Sequence, residues 1–161
     1  MGGRDVRLGF RLRAHDLSMT DDEVFEHHRA LAPFLGEWHA EGTSYAPDGT
    51  ASPWKSIHSA RWHVGEFFVL QDERANGPFH TMSFLGWDPD RGGYFSWSVE
   101  NHGFAHQYSL AKDGLTWTFT GENERATVTF SAHGHQQTHH WEHRPEGEWV
   151  TLCERVATRV E

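Results

Sequence analysis

Cysteine is nearly absent from this chain: Cys153 stands alone among 161 residues. A single thiol excludes an internal disulfide framework and a cysteine-built zinc cage, and that usage fits a cytoplasmic protein. Basic charge is also scarce, with 14 Lys and Arg against 23 Asp and Glu and a net charge of −9 when histidine is neutral. Nucleic-acid backbones are bound by clustered Lys and Arg, so nucleic acid is not an expected partner. An anionic membrane surface is disfavoured for the same reason. No apolar run approaches the roughly 20 residues that span a bilayer. The stretch from Met1 to Arg13 carries arginines without the apolar segment of a signal peptide. Nucleophile elbows, P-loops and dinucleotide fingerprints are all missing.

Aromatics and histidine, by contrast, are abundant: 8 Trp, 11 Phe and 14 His. Aromatics at this density fill a core or line a ligand cavity. Histidine transfers protons and binds metals, although a histidine on a strand or loop is most simply a solvated residue.

Residues 1–18 lack periodicity and are expected to form a flexible leader, with one domain over 19–161 and Met19 as a candidate start. Thr20-Asp21-Asp22-Glu23 has the pattern of a helix-capping box. Val24, His28, Leu31 and Leu35 share one helical face, and Pro33 and Gly36 end the helix. After Gly36 the apolar period changes to two. Nine turn signals follow, from Pro47-Asp48-Gly49 to Pro145-Glu146-Gly147, at the spacing of an all-β protein. Nine turns make about ten strands in a meander, and a meander of that length closes on itself because closure removes its edges. The expected fold is therefore all-β: an antiparallel, about ten-stranded barrel behind a short N-terminal helix. Within the strands, Trp117 and Phe119 alternate with threonines, as do Ala126, Val128 and Phe130. Phe95, Trp97 and Val99 alternate with Ser96 and Ser98. Threonine and serine suit an outer face, so the aromatic set is assigned inward.

Gly36-Glu37-Trp38, extended to Gly42 as Gly-x-Trp-x-x-x-Gly, resembles the opening strand of the calycin, or lipocalin-like, superfamily. Its longer form resembles DUF1579 proteins and, more distantly, nitrobindins. Gly65-Glu66-Phe67-Phe68, Leu85-Gly86-Trp87-Asp88-Pro89 and Gly93-Tyr94-Phe95 follow in the same order as in DUF1579-type proteins. The resemblance implies a barrel in which Trp38 packs against an arginine of the last strand, with Arg155 or Arg159 available. Both are structural roles. Nitrobindins hold haem through a histidine near the chain end, and Arg144 to Glu161 contains none, so no haem is expected; a haem or metal-binding barrel using other histidines is the third and least favoured reading.

The densest histidine group is His133, His135, His139, His140 and His143. On a strand His139, Trp141 and His143 share a face, but residues four apart lie about 13 Å from each other, too far to share a metal; no metal or other cofactor is expected. Further histidines sit beside aromatics: His58 with Trp62, His80 with Met82 and Phe84, His106 with Phe104 and Tyr108. The carboxylates of Asp72-Glu73 and Glu122-Asn123-Glu124 read as solvated. The expected site is an aromatic cavity with polar tips, formed by His58, Trp62, Trp97, Tyr108, Trp117, Trp141 and His143, which binds a small hydrophobic or aromatic molecule. Were the protein a cofactor-free enzyme (an isomerase, cyclase or dehydratase), His106 and His139 would be its acid and base. A homodimer is compatible with this reading.

Overall fold

The structure is a computed structural model that describes residues 20–160; the expected leader and Met19 lie outside the described residues. The capping box forms as the sequence predicts. The Glu23 amide donates to Thr20 Oγ1 at 3.3 Å and the Thr20 amide to Glu23 Oε2 at 2.7 Å. Helix α1 (Asp21–Arg29) then stops short of Pro33, which sits instead in a 3-10 turn at Ala32–Phe34. That turn drives Leu31 and Phe34 fully into the barrel base.

Ten strands follow: β1 (Gly36–Tyr45), β2 (Ala51–Trp62), β3 (Val69–Ala75), β4 (His80–Asp88), β5 (Gly93–Glu100), β6 (Ala105–Asp113), β7 (Thr116–Thr120), β8 (Glu124–Phe130), β9 (Gln136–His143) and β10 (Val150–Arg159). Each pairs antiparallel with the next, and β1 pairs with β10 to close the barrel. All nine predicted turns fall between strands. Up-and-down alternation puts α1, the 3-10 turn and the loops 63–68, 89–92 and 131–135 at one end, the base. Loops 46–50, 76–79, 101–104, 121–123 and 144–149 lie at the opposite end, the mouth. No helix among the described residues is long and apolar enough to cross a membrane.

Closure depends on the Gly-x-Trp-x-x-x-Gly segment. Gly36, Trp38 and Gly42 all face inward on β1. Trp38 is completely buried, and its indole Nε1 donates to the Phe34 carbonyl at 3.1 Å. In the β1–β10 register Arg159 lies directly opposite Trp38 and Arg155 opposite Gly42. Arg159 is therefore the stacking partner, its guanidinium 4.2 Å from the Trp38 ring, a geometry favoured by the ring's electron-rich face. It also donates to the carbonyls of Leu35 and Gly134, tying the 3-10 turn to the barrel wall. Gly36 has φ +120°, and a Cβ there would meet Arg159 Nη1 at 2.4 Å. A Cβ on Gly42 would lie 1.9 Å from the Glu154 carbonyl oxygen. Gly42 is needed because the β10 backbone comes too close for a side chain, and Gly36 because its φ is one that L side chains rarely adopt.

The base half of the barrel is packed solid. Phe34 meets Trp117 and Phe130 edge-on at 5.4 and 5.0 Å, and Phe119, Ala126, Val128 and Leu85 fill the remainder. On the outer wall, the β4–β5 register pairs Met82 with Val99 and Phe84 with Trp97, and all four side chains are exposed.

Trp38→Ala should cost about 3–5 kcal/mol, the range for truncating a fully buried aromatic. Arg159→Met should cost less, because the apolar stem still covers the indole. Urea denaturation of both variants checks the order; equal losses would show that the carbonyl contacts of Arg159, and not the buried indole, dominate.

Candidate functional site

Above the packed base the barrel opens into a cavity of about 350 Å³. Phe34, Phe119 and Val128 form its floor. Tyr108, Trp141, Trp54 and Phe79 supply aromatic wall, while Ser83, Ser96, Ser98, Thr81 and Gln71 supply a polar one. The polar wall explains where the sequence-based face assignment fails. On β5 the serines point inward, with Ser96 almost completely buried, and Trp97 and Val99 point outward at 57% and 54% exposure. The rule that serine faces solvent inverts when the interior itself is a polar cavity. On β4, likewise, Thr81 and Ser83 face in, whereas Met82 and Phe84 face out.

A buried ion pair crosses the cavity. Arg155 of β10 donates to both carboxylate oxygens of Glu73 of β3, at 2.6 and 3.1 Å, and both side chains are nearly inaccessible. Around the wall these strands are separated by β1 and β2. The bare inner surface of Gly42 lets the guanidinium lean across, and it lies 5.0 Å from the Trp54 ring on the way. Burial alone would raise the Glu73 pKa, but Arg155, His58 and a hydrogen bond from Ser56 more than offset it and hold the carboxyl below its usual range. Arg155 thus acts in the cavity, not as the Trp38 partner.

Two histidines border the pair. His58 lies opposite Glu73 on β2, and His139 opposite Arg155 on β9. Burial pushes His58 down to about 4, a drop opposed by Glu73 and reinforced by Arg155. Burial, then Arg155 and His58, pushes His139 well below its ordinary value. Both imidazoles are therefore neutral at pH 7. His139 Nε2 donates to Gln137 Oε1 at 3.0 Å, leaving Nδ1 as the nitrogen without a proton. Besides Trp87 Nε1 and Gln137 Nε2, which lie outside the cavity, four of the described residues carry buried polar atoms without a hydrogen-bond partner: His58 (Nδ1 and Nε2), His139 (Nδ1), Trp141 (Nε1) and Arg155 (Nε). All four residues line the cavity.

A second cluster rims the mouth. His106 Nε2 lies 3.2 Å from Glu100 and its Nδ1 3.6 Å from Glu124. Tyr108 stacks on the same imidazole and donates to Glu124 at 2.5 Å. Burial and the adjacent Glu124 and Glu100 carboxylates push the Tyr108 phenol far up.

The structure gathers only part of the expected site. His58, His139, Tyr108 and Trp141 line the cavity, and His106 sits at its rim. Trp117 is 1% exposed and belongs to the solid base, and Trp62 packs against the same core. His143 is half-buried at the end of β9 and does not reach the cavity. Trp97 is on the outer wall. Glu73, expected in solvent, is buried, and Glu100, Glu124 and Trp54 also line the cavity. One signal pointed to Glu73: it shares strand parity with Val69, a core residue. Among the described residues no three His, Cys, Asp or Glu side chains converge as metal ligands.

A family model described as "Protein of unknown function (DUF1579)" matches residues 23–159. The chain belongs to this family. No curated protein matches it. Among solved structures, this DUF1579 chain is similar to Rv2717c from M. tuberculosis, at 14% identity and TM-score 0.64, covering 83% of this chain and 96% of that one. It is also similar to the S-type phycobiliprotein lyase CPES from Guillardia theta, at 11% identity and TM-score 0.54, covering 89% and 94% respectively. Both likenesses are of fold.

Two outcomes follow from the buried charges. Removing one ionic partner strands the other, so Arg155→Met or Glu73→Leu alone should destabilise by about 3–5 kcal/mol, whereas the double replacement should recover most of that loss. A double-mutant cycle in urea tests this, and additive losses would refute it. His58 binds its proton less readily folded than unfolded. Its contribution to stability is therefore fully present above pH 6.5 and declines as pH falls toward 4. The full decline is about 3 kcal/mol. The stability difference between wild type and His58→Phe should be constant above pH 6.5 and move against wild type as pH falls toward 4; parallel curves across that range would contradict it.

Proposed function

We propose that this protein binds a small molecule with an aromatic or otherwise apolar body inside the mouth half of its barrel. The observation that carries this reading is the set of buried, unpartnered polar atoms on His58, His139, Trp141 and Arg155 around one cavity. An unmatched buried donor or acceptor costs about 1–3 kcal/mol. Four such residues around one space are better explained by a ligand that meets them than by packing. Aromatic wall for the body and a few convergent polar groups for orientation is the usual composition of a small-molecule site. The likeness in fold to a phycobiliprotein lyase is compatible with a barrel that takes a small molecule or chromophore.

A second reading, acid–base catalysis on such a ligand, draws on His139. Gln137 selects its tautomer and leaves Nδ1 free to accept a proton. Its basicity, however, is well below the ordinary imidazole value, and a general base works best when its pKa lies near the operating pH. Binding without turnover is therefore the preferred function.

Because Trp54 and Trp141 both line the cavity, a neutral aromatic such as naphthalenemethanol should change tryptophan fluorescence saturably. Ser98→Phe, which fills the cavity from a tolerant small residue, should abolish the change while the protein stays folded by circular dichroism. His58→Phe should weaken binding about tenfold, the worth of one buried hydrogen bond. Unaltered binding by Ser98→Phe would place the ligand elsewhere and sink the proposal.

A further inference from the structure

The charges around the cavity do not balance. Glu73 and Arg155 neutralise each other through their paired hydrogen bonds. Glu100 and Glu124 remain, one at the end of β5 and the other at the start of β8, both on the mouth side and both about three-quarters buried. Their only cationic neighbour among the described residues is His106, set between them. Even a protonated imidazole offsets one carboxylate, not two, so the rim stays negative. The loops of the mouth end add to the field: they carry Asp48, Glu122, Glu146 and Glu148 against Arg144 alone. Arg125, close by, is committed to Glu142 at 2.5 Å on the outer wall. Like-signed charge around a low-dielectric opening concentrates ions of the opposite sign and repels its own.

Aromatic rings run from this rim down into the cavity. Tyr108, bonded to Glu124, meets Trp141 edge-on at 5.6 Å, and Trp141 lies 5.8 Å from Phe119 on the floor. An independent feature also points to a ligand in the same space. His58 is 4% exposed and neither ring nitrogen has a partner among the described residues. A molecule seated here would place its rings against Tyr108, Trp141 and Phe119, offer hydrogen-bonding groups to His58, and present its outer end to Glu100 and Glu124.

We infer that the ligand is cationic at that outer end: an aromatic or lipophilic amine, amidine or guanidine whose charge lies on the cavity side of Glu100 and Glu124, the side away from His106. Carboxylic acids, including fatty acids, are excluded from the cavity by the same two residues. This inference rests on the small-molecule reading above and adds the charge class.

Three probes of one shape separate the possibilities: naphthylmethylamine, naphthalenemethanol and naphthoate, titrated at neutral pH into the full chain by tryptophan fluorescence. The amine should bind more tightly than the alcohol and at least about tenfold more tightly than the acid. Its advantage should shrink as salt is raised from low ionic strength. In Glu100→Gln/Glu124→Gln, whose amides keep an acceptor for Tyr108, the ratio of amine to alcohol affinity should fall toward one. Binding of the alcohol by that variant shows that the cavity is still formed. Should the double variant not fold, the single variants are compared, each expected to lose part of the ratio. If the alcohol binds but the amine shows no advantage, or the acid binds best, the charge inference is overturned and the cavity reading survives. An amine advantage that persists in the double variant overturns the assignment to these two residues. If none of the three binds, the cavity reading fails and the inference falls with it.

Discussion

The contact between Trp38 and Arg159 joins the first strand to the last, and every other feature of the molecule is arranged around that seam. A meander has no edge only if its terminal strands find each other, and they are the two most distant in sequence. The seam therefore carries the largest loop-closure cost in the chain. It is met by a buried indole, a stacked guanidinium, and carbonyl contacts that also hold the 3-10 turn beneath the barrel. Gly42 lets the strands approach closely enough for this to happen, and Gly36 takes the positive φ with which the chain enters β1. Because Gly42 has no side chain, the wall beside Arg155 is bare, and the same residue that permits closure opens the path along which Arg155 reaches Glu73.

That ion pair gives the interior its character. Buried salt bridges contribute little net stability once desolvation is counted, so stability is a weak explanation for charges in a barrel that could have been filled with leucine. The base half shows what this chain does when it only needs to pack: Phe34, Trp117, Phe119 and Phe130 interlock, with Gln137 beside Phe130 as a buried polar neighbour. Two layers higher the interior carries an ion pair, two neutral histidines and a wall of serines. The division between a solid base and a polar, hollow upper half is the physical distinction between the part that holds the fold and the part proposed to meet a ligand.

Neutral histidines and paired charges also set what the cavity can do. His58 and His139 offer hydrogen bonds without charge. Burial keeps them so, with Arg155 reinforcing it, and the guanidinium is itself paired with Glu73. The uncompensated charge lies farther out, on Glu100 and Glu124, where water still reaches. In the proposed binding mode, recognition is thereby divided by depth: shape and hydrogen bonding inside, electrostatics at the opening.

The fold was legible from the sequence alone because its signals are local. A capping box, nine turn signals and a period of two are each decided within a few residues. They determined a helix, ten strands and a closed meander, and Gly-x-Trp located the seam. The site was legible only in part. Strand parity put His58, Tyr108, His139 and Trp141 inward, because those strands also carry core residues that fix the face. It put Trp97 inward wrongly, since serine marks the outer face only where the inner one is apolar, and here the cavity reverses that. Parity also could not choose between Arg155 and Arg159, which share a face four residues apart. The register of β1 against β10 made the choice, placing one opposite Trp38 and the other opposite Gly42. Register across more than a hundred residues is set by closure and packing of the whole barrel, and so Glu73, Arg155 and the rim carboxylates became a site only in the tertiary structure.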